Sequence, residues 1–600
     1  MNARRDFSRG AALALMTAML LLVMLTRLPG LSTLQLDADE VWSVWQAVDG
    51  PAQIVMRTPY DWTPTYFLLM GGWTSLVSNH PLAVRMLALL LFTVGAACTY
   101  QAGRVLGGRK TGVTFAFAYT ALSYQLFIST YPRGSAAAVA LLPVVLWITL
   151  RYVQRPTWRR AAAAGLCSAA LVYVYLNAPV ALAFLYLFLL TLYGRRAVSL
   201  WKPVLLAGVL VLPVLVPRLE IAVSRTSATQ AQSTGGLLAD FAAFLGGTFD
   251  QSWPLWLALL VIIAAAALIT ARRATLNRLL LAALVWFVSG PIILYALNRW
   301  LGFFTPHYAW WVATSFALLL AALAQMLKPA WVVAVVTAMG ALMFFPYDRS
   351  LHTIETPPVA AAFGWLQERL QPGDALVIDP GCACPPAEVW DYYRGVYFPS
   401  GLSQTEAPGS ARRVWYLAAN GRQDAELQAQ VEAGRLAGAF IGPWDFLLRL
   451  YEGPPDPVGI AFDNGLRLHG VVVLPNRGQA QETGIIVRRE GEPVRVQIWW
   501  SADHPLERDY SAGLYVTSGG QTVAEVNGPP APLNGSAQTS AWEPGTLYVE
   551  ERTLNLPDSL ASGAYDLLLS TYYWEEPTPT PAEGHPDGLI PAASFEVKAW

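Results

Sequence analysis

The sequence predicts a polytopic α-helical membrane protein of about eleven spans, followed by a small α/β domain and a β-sandwich. Three observations carry this prediction. The 600 residues are 54% hydrophobic and only 14% charged, whereas about a quarter of the residues of soluble domains are charged. The charge is also unevenly placed. Residues 1–346 hold 24 of the 40 Lys and Arg but only 9 of the 41 Asp and Glu, so a basic half of net +15 precedes an acidic half of net −16. Finally, apolar runs of membrane length recur up to Pro346 and then stop, giving way to amphipathic and alternating patterns. This split excludes a single soluble enzyme, a disordered chain and a fibre. No nucleic-acid partner is expected, because the basic residues sit in short clusters between apolar runs. Four cysteines make no disulfide framework.

A span needs roughly 20 apolar residues to cross about 30 Å of hydrocarbon. The runs that approach this are 11–28, 82–104, 111–129, 134–151, 161–176, 179–193, 201–218, 253–271, 279–297, 308–327 and 330–346. The stretch 161–193 is too long for one straight helix across the bilayer, and Asn177-Ala178-Pro179 predicts a tight hairpin within it. Arg4, Arg5 and Arg9 precede the first run as in a signal peptide, but no small-residue cleavage site follows, so the run reads as a first span.

Starting inside, 17 of the 24 basic residues of this half fall on cytoplasmic segments, with Asp6 the only acid among them. That count requires 41–56 and 64–78 to lie along the outer interface as helices. If 64–78 crossed, only 8 basic residues would remain inside. The reading is thus a multi-pass protein of the cytoplasmic membrane, with residues 1–346 as its membrane domain and the rest extracytoplasmic.

Beyond it, 357–371 is an amphipathic helix, and Ala375–Asp379 and Arg413–Ala419 are buried strands, which gives an α/β domain over 347–453. Gly453-Pro454-Pro455-Asp456-Pro457 is a linker. Short alternating runs such as Val494–Trp500, Gly513–Thr517 and Tyr565–Tyr572, separated by Gly and Pro turns, predict a β-sandwich over 458–600. Cys382 and Cys384, one residue apart, form no zinc site without a second pair of ligands. Cys98 and Cys167 read as apolar fillers inside spans.

The first outer loop carries Asp37, Asp39 and Glu40. A carboxylate there can take a proton from a hydroxyl nucleophile or hold a divalent cation, and an adjacent pair can divide those tasks. The same residues also suit the cap of a solvated helix. Arg133 stands between two spans on the face that holds few basic residues, and its planar fork matches two phosphate oxygens. Snorkelling to lipid headgroups is the alternative.

The order of these features resembles the GT-C glycosyltransferases, and within them the branch of the protein O-mannosyltransferases and the lipid A aminoarabinose transferase. The resemblance runs through Asp39-Glu40, then Asp61-Trp62-Thr63-Pro64-Thr65-Tyr66-Phe67, Pro81-Leu82-Ala83-Val84-Arg85-Met86 and the turn Gly107-Gly108-Arg109. It implies Asp39 as the catalytic carboxylate with Glu40 beside it, and Asp61 as the acid before the Pro-aromatic step. The branch's lysine is missing at that step, where Thr63-Pro64-Thr65 stands. Tyr131-Pro132-Arg133-Gly134 matches an Arg/Tyr element of the second outer loop. Pro306-His307-Tyr308 stands where relatives have Pro-Arg-Tyr, with His307 in place of the arginine that contacts the donor. Arg299, Arg218 and Arg57 are further outer cations that can meet an anionic lipid head or merely flank spans.

The implied activity is an inverting transfer of a sugar from a polyprenyl-phosphate donor in the membrane lipid to a glycan, lipid or protein acceptor. No cofactor is implied beyond an optional divalent cation on Asp39 and Glu40. Two other classes of protein fit a polytopic chain less well. A secondary transporter would place ionisable groups at mid-span and show a duplicated half, and neither is visible. A non-enzymatic glycan-binding surface protein would need one anchoring span, which leaves the others unexplained.

Overall fold

A computed structural model describes residues 6–31, 35–58, 62–226, 278–301, 310–344, 358–381, 387–398, 400, 402, 404–419, 423–444, 446–474, 487–488, 493–557 and 560–597. They form two compact units. Met1–Thr356 with Glu388–Tyr392 make the first, and Pro357–Ala387 with Tyr393–Trp600 the second.

The first unit is helical. Ser8 caps α1 (Arg9–Arg27) by accepting from the Ala11 amide at 3.1 Å. Then follow α2 (Ala38–Gln46), α3 (Pro51–Arg57), α4 (Thr65–Leu76), α5 (Pro81–Gly107), α6 (Arg109–Ala121), α7 (Ser123–Ile128) and α8 (Gly134–Gln154). After them come α9 (Trp158–Val174), α10 (Ala178–Tyr193), α11 (Trp201–Thr226), α12 (Arg278–Leu301), α13 (Trp311–Ala324) and α14 (Pro329–Leu342). Among the described residues four apolar stretches are long enough to cross a membrane: Arg9–Gly30, Pro81–Gly107, Gly134–Gln154 and Ala178–Val216. The 3₁₀ turn Gly194–Leu200 divides the last of these. Arg278–Gly290, α13 and α14 are apolar but shorter. The outward side chains suit lipid and not water, since Leu21, Leu25, Leu90, Val94, Val209 and Leu212 are exposed.

Two expectations meet the structure differently. The break in 161–193 is present: α9 ends at Val174, and α10 starts at Ala178 with Pro179 in its first turn. Trp310 fastens that turn, its indole N–H donating to Asn177 Oδ1 at 3.0 Å. The single span over 111–129 is instead two helices. At Leu122 the backbone is extended, which separates α6 from α7. The reason lies in packing. Every residue of α6 from Lys110 to Ala121 is buried, and α1, α5, α13 and α14 pack on it. A helix enclosed by protein need not match the thickness of the lipid. It can also carry polar residues, and the Thr111, Thr114 and Thr120 hydroxyls each donate to the carbonyl four residues back. Where α5 meets α6 the backbones nearly touch, and a Cβ on Gly103 would stand 2.8 Å from Gly112 Cα. The stretches 41–56 and 64–78 are helical as α2 with α3 and as α4, while 253–271 lies outside the described residues.

In the second unit, α15 (Val359–Gln367) precedes a five-stranded mixed sheet in the order β2-β1-β3-β5-β4. Its strands are β1 (Ala375–Ile378), β2 (Gln404–Thr405), β3 (Arg413–Ala419), β4 (Leu436–Ile441) and β5 (Phe446–Glu452). The first three run parallel and the last two join antiparallel. Nine further strands form two sheets. Strands β6 (Ile460–Ala461), β7 (Leu466–Leu474), β9 (Val494–Ala502) and β12 (Tyr548–Leu554) make one. Strands β8 (Val487–Arg488), β10 (Tyr510–Ser518), β11 (Gln521–Gly528), β13 (Gly563–Tyr573) and β14 (Ile590–Val597) make the other. Alternate residues such as Val496, Ile498 and Trp500 from the first and Leu514, Leu567 and Leu569 from the second share one core. Its buried Glu550 accepts from the Trp500 indole at 2.8 Å and pairs with Arg552 at 3.1 Å.

Candidate active site

The site begins with a helix cap. Asp37 accepts from the Glu40 amide at 2.9 Å, and the Asp37 amide donates back to Glu40 Oε2 at 3.0 Å, a reciprocal box that fixes the start of α2. Asp39 and Glu40 are therefore held in one helical turn and point in different directions. Their surroundings differ accordingly.

Glu40 is fully buried, and Arg85 from α5 grips it with two bonds, Nε to Oε1 at 2.9 Å and Nη2 to Oε2 at 2.7 Å. Arg85, also fully buried, donates in addition to the carbonyls of Leu31 at 3.0 Å and Gln35 at 2.8 Å. Both oxygens of Glu40 are thus engaged, and the cluster ties the loop after α1 to α2 and α5. Glu40 was expected to share the chemistry or hold a cation. Its geometry gives it a bracing position instead.

Asp39 is half open, with 46% of its side chain exposed. Nη1 of Arg133 lies 2.5 Å from Asp39 Oδ2, a close contact of opposite charges. The Tyr131 hydroxyl donates to the same oxygen at 3.3 Å. Arg133 is the extended residue before α8, and its amide donates to the Tyr131 carbonyl at 2.8 Å, so the turn presents both side chains together. Gly134 follows because there is no room for more: a Cβ there would stand 2.9 Å from the Val174 carbonyl. Burial works against the Arg133 charge, but Asp39 outweighs it with help from Tyr131 and Tyr175, and the guanidinium is held above its ordinary pKa. Burial, followed by Asp37, pushes the Tyr131 phenol up as well, so it stays a donor.

Aromatic rings back the cation. The guanidinium lies over Trp62 at 4.8 Å, and Trp62 is wedged by Trp42 at 5.7 Å and Phe67 at 6.2 Å. Nearby Tyr66 is buried, with a hydroxyl that has no hydrogen-bond partner among the described residues. A third arginine supports the turn from below. Arg27, at the end of α1, donates to Ser129 Oγ at 2.9 Å and to the Thr120 carbonyl at 2.7 Å.

Of the residues singled out from the sequence, Asp39, Tyr131 and Arg133 come together and Glu40 stands behind them. Arg57 does not join; it pairs with Asp49 at 2.6 Å and lies over Trp45. Asp61, His307 and Tyr308 lie outside the described residues, as do Cys382 and Cys384 and the side chains of Arg299 and Arg218. Arg85, Trp62 and Arg27 were not assigned roles. For Arg85 a signal existed, an ionisable residue at the fifth position of an apolar span. Among the described residues no group of three His, Cys, Asp or Glu is gathered as a metal needs. The residues here do not fit a divalent cation, because guanidinium groups already face both carboxylates.

No family model and no curated protein matches the chain. Among solved structures it is similar to ArnT from Cupriavidus metallidurans bound to undecaprenyl phosphate, at 11% identity and a TM-score of 0.47 over 74% of this chain and 98% of that one. It is also similar to the mycobacterial arabinofuranosyltransferase AftD, at 14% identity and a TM-score of 0.40 over 94% of this chain and 62% of that one. The Archaeoglobus fulgidus oligosaccharyltransferase gives 12% identity and a TM-score of 0.40 over 68% and 66%.

Proposed function

We propose that the protein is an inverting glycosyltransferase that moves a sugar from a polyprenyl-phosphate donor to an acceptor hydroxyl at the outer face of the cytoplasmic membrane. The observation that carries this reading is the division between neighbouring carboxylates: Glu40 is sealed by Arg85, while Asp39 is open beside Arg133 and Tyr131. An open carboxylate can take a proton, and a guanidinium next to it can hold a phosphate. The reading also draws on the motif resemblance and on the distribution of Lys and Arg, which assigns this loop to the outer side.

In the proposed reaction the acceptor oxygen attacks the anomeric carbon as its proton passes to Asp39. The bond from that carbon to the phosphate oxygen breaks, and the polyprenyl phosphate leaves with the electron pair. Arg133 stabilises the charge that develops there. Phosphate leaves readily, so a cation serves better than an acid. Glu40 and Arg85 act as positioning residues, fixing the turn that carries Asp39.

The test is to purify the full chain and incubate it with a panel of polyprenyl-phosphate sugars, following release of polyprenyl phosphate. Release from at least one donor, lost in Asp39→Asn, is the expected result. A protein that binds none of the panel and releases nothing would overturn the reading.

A further inference from the structure

We propose that the Asp39–Arg133 pair is a latch that the donor's phosphate opens, with Trp62 as the positioning residue that keeps the guanidinium in place during the exchange. This rests on the transferase reading above, and it concerns the order of events at that site.

The pair is lopsided. Asp39 is 46% exposed and Arg133 only 11%. When the contact breaks, water can solvate the carboxylate at little cost, but the guanidinium cannot be left in its enclosed position without an anion. Arg133 can therefore leave Asp39 only for another anion, and a phosphate monoester or diester with two free oxygens suits its fork. Nη1, buried and 2.5 Å from Asp39 Oδ2, is the donor that a phosphate oxygen would take over when the contact opens.

The latched state is also unsuited to base catalysis. Arg133 and Tyr131 both converge on Asp39 Oδ2. A cation against a carboxylate opposes the arrival of a proton on it. Once phosphate takes the guanidinium, Asp39 keeps only the Tyr131 bond and is free to accept the proton of the acceptor. The base is thereby unmasked only when a donor is bound, which protects against idle proton abstraction and sets donor before acceptor. Trp62 makes the exchange local. Its ring supports the guanidinium at 4.8 Å and is itself wedged by Trp42 and Phe67, so the cation can change partners without leaving its platform.

The experiment uses the full chain in lipid nanodiscs with farnesyl phosphate, a sugar-free polyprenyl phosphate, as the probe. Affinity is read by calorimetry, and the environment of Trp62 by fluorine NMR after 5-fluorotryptophan labelling, its line assigned through Trp62→Phe. If Asp39 competes with phosphate for Arg133, Asp39→Asn should bind the probe about tenfold more tightly, and that gain should vanish in an Arg133→Gln background. The Trp62 line should shift with the same midpoint as binding. Trp62→Phe should bind nearly as wild type and Trp62→Leu about tenfold more weakly. If the probe binds but Asp39→Asn leaves its affinity unchanged, or the Trp62 line stays still, the latch is overturned and the transferase reading stands. If the probe does not bind at all, the transferase reading falls and the latch with it.

Discussion

Two ion pairs one residue apart in the chain behave as different regions of the molecule. Glu40–Arg85 is fully buried, bidentate and further bonded to two backbone carbonyls. Asp39–Arg133 has one wet partner and one dry partner, and Asp39 Oδ2 is shared with the Tyr131 hydroxyl. The first geometry resists exchange and suits a brace. The second permits exchange and suits chemistry. The difference teaches that a run of acids in a loop is not one functional unit: the helical turn that Asp37 caps aims consecutive carboxylates at different environments.

The comparison breaks most sharply on Asp39→Asn. Because Asp39→Asn leaves the enclosed Arg133 without its anion, the melting temperature in detergent should fall and be restored by bound farnesyl phosphate. Turnover should fall by roughly 10²- to 10⁴-fold, the usual worth of a positioned proton acceptor. Equal and small losses in Asp39→Asn and Asp37→Asn, measured with donor binding alongside, would reduce the loop to a solvated cap.

Arg85→Ala tests the other pair and should act through stability. It strands a buried carboxylate, at a cost of about 3–5 kcal/mol, and the melting temperature and turnover should fall together. Replacing both partners, Arg85→Met with Glu40→Met, should recover part of the melting temperature, since the stranded charge is gone while the Leu31 and Gln35 carbonyls and the Asp37 amide lose their partners. A single variant that melts like wild type would mean the brace bears no weight.

These two regions were not equally legible in the sequence. Pro179 marked the α9–α10 hairpin because it follows Asn177-Ala178 in a run too long for one straight helix across the bilayer, whereas Pro143 alone does not end α8. The division of 111–129 into α6 and α7 left no such mark. It depends on burial from all sides, a property of neighbours far along the chain. The site shows the same contrast. Asp39 and Arg133 were visible as outer ionisable groups, but which of two adjacent acids is sealed depends on Arg85, 45 residues from Glu40. Trp62 stands in the Asp61-Trp62-Thr63-Pro64 motif, yet only folding shows that its ring lies under Arg133.

Arg133→Lys sharpens the comparison at a smaller scale. Lysine keeps the charge but loses the fork and much of the stacking on Trp62. Donor affinity should fall by about tenfold, with a smaller change in turnover at saturating donor. A lysine variant indistinguishable from wild type would mean that Arg133 supplies only charge.

The smallest effect belongs to Tyr131→Phe. At 3.3 Å its bond to Asp39 is long, so about 0.5–1.5 kcal/mol is at stake, a loss of roughly two- to tenfold in turnover. Its pH signature is more telling than its size. Burial and the nearby Asp37 push the phenol above its ordinary value, so it remains protonated across the neutral and mildly alkaline range and donates throughout. Any alkaline decline of activity below about pH 10 must then come from another group, and Tyr131→Phe should lower the whole profile without moving its limbs. A limb that shifts in the variant would show that Tyr131 titrates during turnover, and the tyrosine would have to be counted among the proton-transfer groups instead of the fixed donors around Asp39.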